Sequence, residues 1–304
     1  MTSLRKRMIE DMQLRNFSSE TQRSYTHYIA QYALYFDRSP DLLGPEAIRE
    51  YQLYMANDRK MSPESVNCFT AAAKFLYLTT LELPWSQAHF VRSRVPERLP
   101  VVLSAAEVAR FFEVIGVIKH RAVVMTCYGA GLRISEAVSL KISDIDSQRM
   151  VIRVRQGKGA KDRYVMLSPR LLLMLREYCR CQKPHRAGEN ALGNAPNGDA
   201  WLFPAIKPNR HISPATIQQL CREAAQLAGI GKRVTAHTLR HCFATHLLDN
   251  GEDIRVIQIL LGHRRIDTTA RYTHVSMTKI AASVSPLDNL PQPKAKGGRP
   301  RKNV

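Results

Sequence analysis

The sequence predicts a mostly α protein with a small β-sheet, divided into an all-helical N-terminal domain and a second, α+β domain. Apolar residues recur at helical spacing through much of the chain, whereas one alternating β-branched run is followed by turn residues. A stretch rich in proline and arginine separates two helical regions. With 304 residues and 44% hydrophobic residues, the chain is long enough for two domains with separate cores.

Residues 1–92 predict a helical domain. Ser19 and the glutamine three residues after it have the spacing of a capping box, and Ser62 precedes Pro63, a residue that suits the first helical position. We find neither a glycine-rich loop nor a pair of carboxylates in this region of the sequence. We therefore expect this domain to be a recognition module rather than to carry out chemistry.

A connector is predicted at 93–103, where prolines and arginines favour an extended, basic chain. Ser104 and Glu107 then have capping-box spacing, which indicates the first helix of the second domain. We assign that domain to 104–288 and the remainder, 289–304, to a basic, disordered tail. Part of the tail resembles an AT-hook, which is the alternative for its role.

The second domain contains a predicted β-hairpin. Residues 150–155 and 164–167 are β-branched and alternating, and glycines typical of a turn lie between them, with Lys158 near the tip. Helical periodicity covers most of the remaining domain. The predicted helices are 104–116, 118–130, 134–140, 171–178, 213–227, 237–249, 253–261 and 267–283.

The chain has a formal net charge of +19, which attracts a polyanion over long range. A nucleic acid is the expected partner, and a solvated basic surface without function is the alternative. The N-terminus lacks the apolar core of an export signal, and no run of about 18 apolar residues is present. We therefore expect a cytoplasmic protein with no membrane partner.

The six cysteines are scattered, and several lie in apolar helical runs, which is typical of reduced core residues. Cys179, Cys181 and His185 are neighbours in sequence, but a second ligand pair at zinc spacing is missing. We expect no metal and no cofactor.

Five dispersed residues mark the candidate site. His237 and Arg240 are three positions apart, so they share one face of a helix. His263 follows a glycine that suits a helix C-cap, and Tyr272 lies nine residues further along, after a separate helix start. Arg133 lies far upstream in a Gly-Leu-Arg segment. Singly, each residue more often has a structural role, but their order and spacing together favour chemistry.

These residue types suit a metal-independent attack on a phosphodiester. Arg133 and Arg240 could bind the non-bridging oxygens, because the planar guanidinium stays ionised and bonds phosphate through two donors. Tyr272 is the candidate nucleophile, since neighbouring cations stabilise a phenolate and His237 could accept its proton. Lys158 is the candidate general acid for the leaving oxygen.

The chain resembles the tyrosine recombinases, the lambda-integrase family, and most closely the Xer-type and mobile-element members. Residues 17–85 are similar to the family's helical core-binding domain. The signature boxes of the family are matched at five places, which are Ala130–Glu136, Gly157–Gly159, His237–His241, Leu261–His263 and Arg271–His274. Two departures, Cys242 and Arg271, touch none of the catalytic roles.

The resemblance implies a site-specific DNA recombinase. Tyr272 would attack the scissile phosphate, form a 3′-phosphotyrosine and free a 5′-hydroxyl, while Arg133 and Arg240 bind the phosphate. Lys158 would protonate the leaving 5′-oxygen. Because the ester energy is kept in the tyrosine link, neither ATP nor a metal would be needed, and the reaction would proceed through a Holliday junction.

Three further roles follow from the resemblance. His237 would act as acid and base, His263 would donate to a non-bridging oxygen, and Glu136 would orient the first arginine. The family also implies double-stranded DNA as substrate, a homotetramer on two sites, accessory DNA-bending proteins and a location at the bacterial nucleoid. Two alternatives stay open, a type IB topoisomerase that relaxes DNA and a catalytically silent DNA-binding protein.

Overall fold

The computed structural model divides into two compact units, Met1–Arg98 and Leu99–Val304. Both are largely helical, and the second also contains a small antiparallel sheet, which confirms the predicted fold class. The structure describes residues 2–96, 100–155, 162–181, 200–207 and 209–262. Among these, no helix is both long and apolar enough to cross a membrane.

Three of the four α-helices described in the first unit begin at side-chain caps, whereas the third begins without one. Ser62 caps one of them by accepting the backbone N–H of Ser65, and Pro63 is its first residue, as predicted. The capping box predicted at Ser19 is wrong by one residue, because Ser18 has the extended backbone and caps the helix while Ser19 is already helical. The helices are α1 (Ser3–Leu14), α2 (Ser19–Phe36), α3 (Pro45–Leu53) and α4 (Pro63–Phe75).

An aromatic cluster forms the core of the first unit. Tyr32, Phe69 and Tyr77 are fully buried and come from α2, α4 and the turn after α4. The Tyr77 hydroxyl donates to the Pro40 carbonyl oxygen at 2.7 Å, so this buried polar group is satisfied.

The second unit begins with the predicted capping box. The Ser104 backbone N–H donates to Glu107 at 2.7 Å, and the Glu107 N–H donates to the Ser104 hydroxyl at 3.2 Å. The helices are α5 (Ala105–Glu113), α6 (Ile118–Gly129), α7 (Ile134–Val138), α8 (Pro169–Cys181), α9 (Pro214–Leu227), α10 (Ala236–Asp249) and α11 (Ile254–Leu261). Each lies within a few residues of its predicted range.

The sheet has three antiparallel strands in the order β1-β2-β3. The strands are β1 (Ile145–Asp146), β2 (Val151–Val154) and β3 (Arg163–Met166). β2 and β3 pair as the sequence predicts, with Ile152 opposite Val165, and both side chains are buried. β1 was not predicted, because two residues are too few to show alternation.

A continuous apolar core lies under the sheet and joins α5 to α10. A smaller cluster packs α10 against α11 through Phe243, Leu248, Ile257 and Leu261. All six cysteines are free, but only Cys127, Cys221 and Cys242 are buried, whereas Cys181 is exposed. The expected core position therefore holds for these three cysteines and fails for Cys181.

Candidate functional site

The site begins where α6 ends and α7 starts. Arg133 is the N-cap residue of α7, and its backbone N–H donates to Oε2 of Glu136 at 2.8 Å. Its side chain also turns toward Glu136, because Nη1 donates to Oε1 at 2.9 Å. Glu136 thus fixes both the backbone and the guanidinium of Arg133. The Arg133 side chain remains 27% exposed, so a ligand in solution can reach it.

Arg163 is a member of this cluster that the sequence analysis missed. It lies at the start of β3, and its Nη1 and Nη2 atoms donate to the two carboxylate oxygens of Glu136 at 2.9 and 2.8 Å. Its Nε atom donates to the Leu260 carbonyl oxygen at 3.2 Å. The available signal was its position, since it shares the inward face of an alternating strand with buried Val165.

Arg240 projects from α10 into the interior and is 1% exposed. Its Nη1 and Nη2 atoms donate to the carbonyl oxygens of Gly131 and Leu261. Nη1 also lies 3.7 Å from Oε2 of Glu136. Because a buried charge must be paired and hydrogen-bonded, these contacts explain how the protein tolerates a buried guanidinium. Arg133 and Arg240 therefore approach the same carboxylate.

Gly131 allows α6, α10 and α11 to meet at this point. It has a φ of +63°, and a Cβ atom there would lie 2.5 Å from two ring carbons of Phe243 and 3.3 Å from Leu261. Side chains other than glycine are disfavoured by both the backbone conformation and the contact distance. The close approach places the Gly131 carbonyl oxygen within hydrogen-bonding reach of Arg240.

The charges around Glu136 are unbalanced in favour of cations. Burial alone would raise the pKa of this carboxyl, but hydrogen bonds and charge from Arg163 and Arg133 lower it from 4.5 to about 2. Glu136 is therefore ionised at neutral pH. One negative charge faces the three positive charges of Arg133, Arg163 and Arg240, so the cluster favours an added anion.

His237 lies in the first turn of α10, which Thr235 caps. Partial burial of the ring lowers the pKa of His237 below its ordinary 6.5, and the positive charges of Arg240 and Arg133 lower it further. The side chain as a whole is solvent-exposed, and its ring centroid lies 4.3 Å from that of His241. The imidazole is therefore mainly neutral at pH 7 and able to accept a proton.

The structure thus brings four predicted residues into one electrostatic cluster, which are Arg133, Glu136, His237 and Arg240. Lys158, His263 and Tyr272 lie outside the described residues, as does His185. Three described elements lie next to two of these residues. β2 and β3 flank the segment that contains Lys158, and α11 is followed by the predicted C-cap Gly262, with a φ of +63°, one residue before His263.

Two family models match the chain. The model described as the phage integrase family covers residues 102–279, and the model described as the N-terminal SAM-like domain of phage integrases covers residues 4–87.

Several relatives match along most of their length. A Sinorhizobium fredii protein named integrase/recombinase y4qK is 48% identical over 294 residues, which are 96% of this chain and 91% of that protein. An Escherichia coli integrase/recombinase is 35% identical and covers 91% of this chain and 90% of its own. The tyrosine recombinase XerA of Pyrococcus furiosus is 32% identical and covers 95% and 97%.

Solved structures share the fold. A crystal structure of XerA recombinase has 30% sequence identity, a TM-score of 0.51 and coverage of 92% of this chain and 96% of its own. The XerH site-specific recombinase bound to palindromic difH substrate has 20% identity and a TM-score of 0.66, with coverage of 88% and 79%. The Tn1549 transposon integrase with transposon right end DNA has 19% identity and a TM-score of 0.65, with coverage of 92% and 100%.

Proposed function

Because the chain belongs to the phage integrase family, the tyrosine recombinases, we propose that it is the integrase of a mobile element that cuts and rejoins DNA at specific sites. The observation that carries this proposal is the cluster around Glu136, in which Arg133 and Arg240 approach one carboxylate beside a neutral His237. Such a cluster offers charge and directed N–H donors to a phosphodiester.

The phosphate is the ligand that the cluster suits best. Arg133 is partly exposed and held in one orientation by Glu136, so it presents a preorganised guanidinium to an anion. Arg240 is buried and donates to the carbonyl oxygens of Gly131 and Leu261. Its binding of phosphate through these nitrogens therefore requires a phosphate oxygen to replace one of the two carbonyl acceptors, and we propose that bound DNA favours that exchange.

The proposed chemistry is a transesterification. The phenol oxygen of Tyr272 bonds to the scissile phosphorus, the bond from phosphorus to the 5′-oxygen breaks, and a 3′-phosphotyrosine forms. His237 accepts the phenol proton, and Lys158 gives a proton to the leaving 5′-oxygen. His263 donates to a non-bridging oxygen. Attack by the 5′-hydroxyl of a second strand then reverses these steps and forms a Holliday junction.

The assembly is also part of the proposal. Double-stranded DNA is the substrate, which the net charge of +19 favours. Relatives of this fold have been solved with transposon end DNA and with difH DNA. We propose that residues 1–92 and 104–288 each bind DNA, that 93–103 connects them, and that 289–304 adds non-specific attraction. A homotetramer acts on two sites near the nucleoid, with accessory bending proteins.

Mapping of covalent adducts tests this function. Purified protein is incubated with the DNA that flanks its own gene, and SDS-resistant complexes are digested to locate the linked nucleotide. We expect a tyrosine linked to a 3′-phosphate at discrete positions. The proposal fails if no flanking fragment forms an adduct. Equal relaxation of plasmids without flanking sequence would favour the topoisomerase instead, and DNA binding without any adduct would favour the silent binding protein.

A further inference from the structure

We propose that Arg163 is a positioning residue of the strand-transfer site, which holds Arg133, through Glu136, and the C-terminal end of α11 in fixed places relative to β3. This inference rests on the proposed function and adds a residue to which neither the sequence motifs nor the resemblance gave a role. The residue acts through its neighbours and is not itself a ligand of the phosphate.

The contacts of Arg163 argue that it positions other groups. All three nitrogens of its guanidinium donate to the protein, two to the carboxylate of Glu136 and one to the carbonyl oxygen of Leu260. Its side chain is only 12% exposed. A phosphate could bind Arg163 only after these bonds were broken, whereas Arg133 is more than twice as exposed.

The contacts at α11 place Arg163 across the last turn of that helix. It donates to the Leu260 carbonyl, and Arg240 donates to the next one, that of Leu261. Both arginines therefore lie at the negative end of the helix dipole, where cations are favoured. A Cβ atom on Gly262 would lie 3.1 Å from Cδ and Nε of Arg163, so the arginine stem runs close to the residue that precedes His263.

The fork of the arginine is needed for this geometry. Its three nitrogens bond a carboxylate on α7 and a carbonyl on α11 from one strand position. The ammonium of a lysine is a point charge with a different reach, so it cannot bond both carboxylate oxygens in parallel and also reach Leu260. Arg163→Lys is therefore expected to loosen the hold on Arg133 and on the end of α11 while the charge is kept.

The test compares Arg163→Lys with Arg153→Lys. Arg153 is a matched control on the neighbouring strand, because it also donates two hydrogen bonds to one carboxylate, that of Asp162, but is about half-exposed and has no contact with Glu136. The probe is a duplex that carries the cleavage site mapped with the wild-type protein. We expect adduct formation to slow by about 100-fold in Arg163→Lys, because Arg133 would no longer be held in the orientation that it needs to donate to the transition state. Arg153→Lys is expected to stay within about twofold of wild type.

A second substrate separates positioning from general damage. A methylphosphonate at the scissile position lacks one charged non-bridging oxygen, so less charge has to be bound in the transition state. We expect the defect of Arg163→Lys, relative to wild type, to shrink from about 100-fold to about 10-fold or less on this substrate. An equal defect on both substrates, or a wild-type rate on the natural phosphate, would overturn the proposal.

A measurement on the free protein keeps this inference distinct from the proposed function. The Glu136 carboxyl is titrated by carbon NMR, and its pKa is expected to rise from about 2 toward its ordinary 4.5 in Arg163→Lys but not in Arg153→Lys. If Arg163→Lys does not fold, Arg163→Gln is measured in the same way. An unchanged Glu136 pKa overturns the positioning role. Wild-type protein that forms no adduct on any DNA overturns only the proposed function.

Discussion

The substitution Glu136→Gln tests the electrostatic account of the site, because it keeps the shape of the side chain and removes its charge. The folded-state pKa of Glu136 is about 2, against 4.5 for the free group. The unfolded chain therefore binds more protons between these values, so the stabilisation is complete above pH 4.5 and is lost as the pH falls toward 2. We expect Glu136→Gln to lower the free energy of unfolding by about 3 kcal/mol at pH 7. At pH 3.5 the loss should be about 2 kcal/mol.

Tryptophan fluorescence allows the unit that contains Glu136 to be followed alone. The chain has two tryptophans, Trp85 in the first unit and Trp201 in the second. In a Trp85→Phe background, urea unfolding reports on the second unit through Trp201. The Trp85→Phe protein and the same protein with Glu136→Gln are unfolded in urea at pH 7 and at pH 3.5, and the midpoints and slopes of the two unfolding curves are compared.

Two outcomes would refute this reasoning. A loss below about 1 kcal/mol at pH 7 would mean that the three arginines do not depend on this carboxylate, since loss of one partner of a buried ion pair usually costs about 3–5 kcal/mol. A loss that is equal at both pH values would mean that the pKa of Glu136 is not depressed in the folded protein.

Three further predictions concern stability, strand cleavage and DNA affinity. Gly131→Ala should lower the free energy of unfolding by about 2 kcal/mol or more in the same urea assay, because of the positive φ and the contact with Phe243. Gly116→Ala is the control and should change that free energy little, because the added carbon has open space around it. Equal effects of the two substitutions would contradict the crowding at Gly131. The Arg133→Lys variant should bind DNA but form SDS-resistant adducts about 100-fold more slowly, since a point charge cannot bond two phosphate oxygens. A near-normal rate of adduct formation would refute the binding of phosphate by Arg133. DNA affinity, measured by fluorescence anisotropy, should fall steeply between about 50 and 200 mM salt, and a flat profile would make the net charge of +19 irrelevant.

Local signals explain why the sequence predicted most helices. Caps such as Ser62 and the Ser104–Glu107 pair act within three or four residues, so their patterns can be recognised in the chain itself. The αL residue Gly262 likewise ends α11 where the sequence placed a C-cap. Short elements were predicted less well, since the two-residue strand β1 was missed. The choice between two adjacent serines for the N-cap of α2 was also wrong, because Ser18 and not Ser19 caps that helix.

Long-range contacts set the limit of prediction for the site. Arg163 contacts Glu136, 27 positions away, and Leu260, 97 positions away, so no local pattern marks it. The burial of Arg240 was also not predicted, because helical spacing shows which face it shares with His237 but not which face is covered. Only the packing of α6, α10 and α11 around Gly131 determines that.

The most direct measurement is the identity of the residue that becomes linked to DNA. Tyr272→Phe is compared with Tyr164→Phe, whose tyrosine is exposed on β3 and serves as the matched control. We predict that both variants bind the flanking DNA as the wild-type protein does, and that only Tyr164→Phe forms an SDS-resistant adduct. An adduct that persists in Tyr272→Phe, or peptide mapping of the linked nucleotide to another residue, would contradict the account.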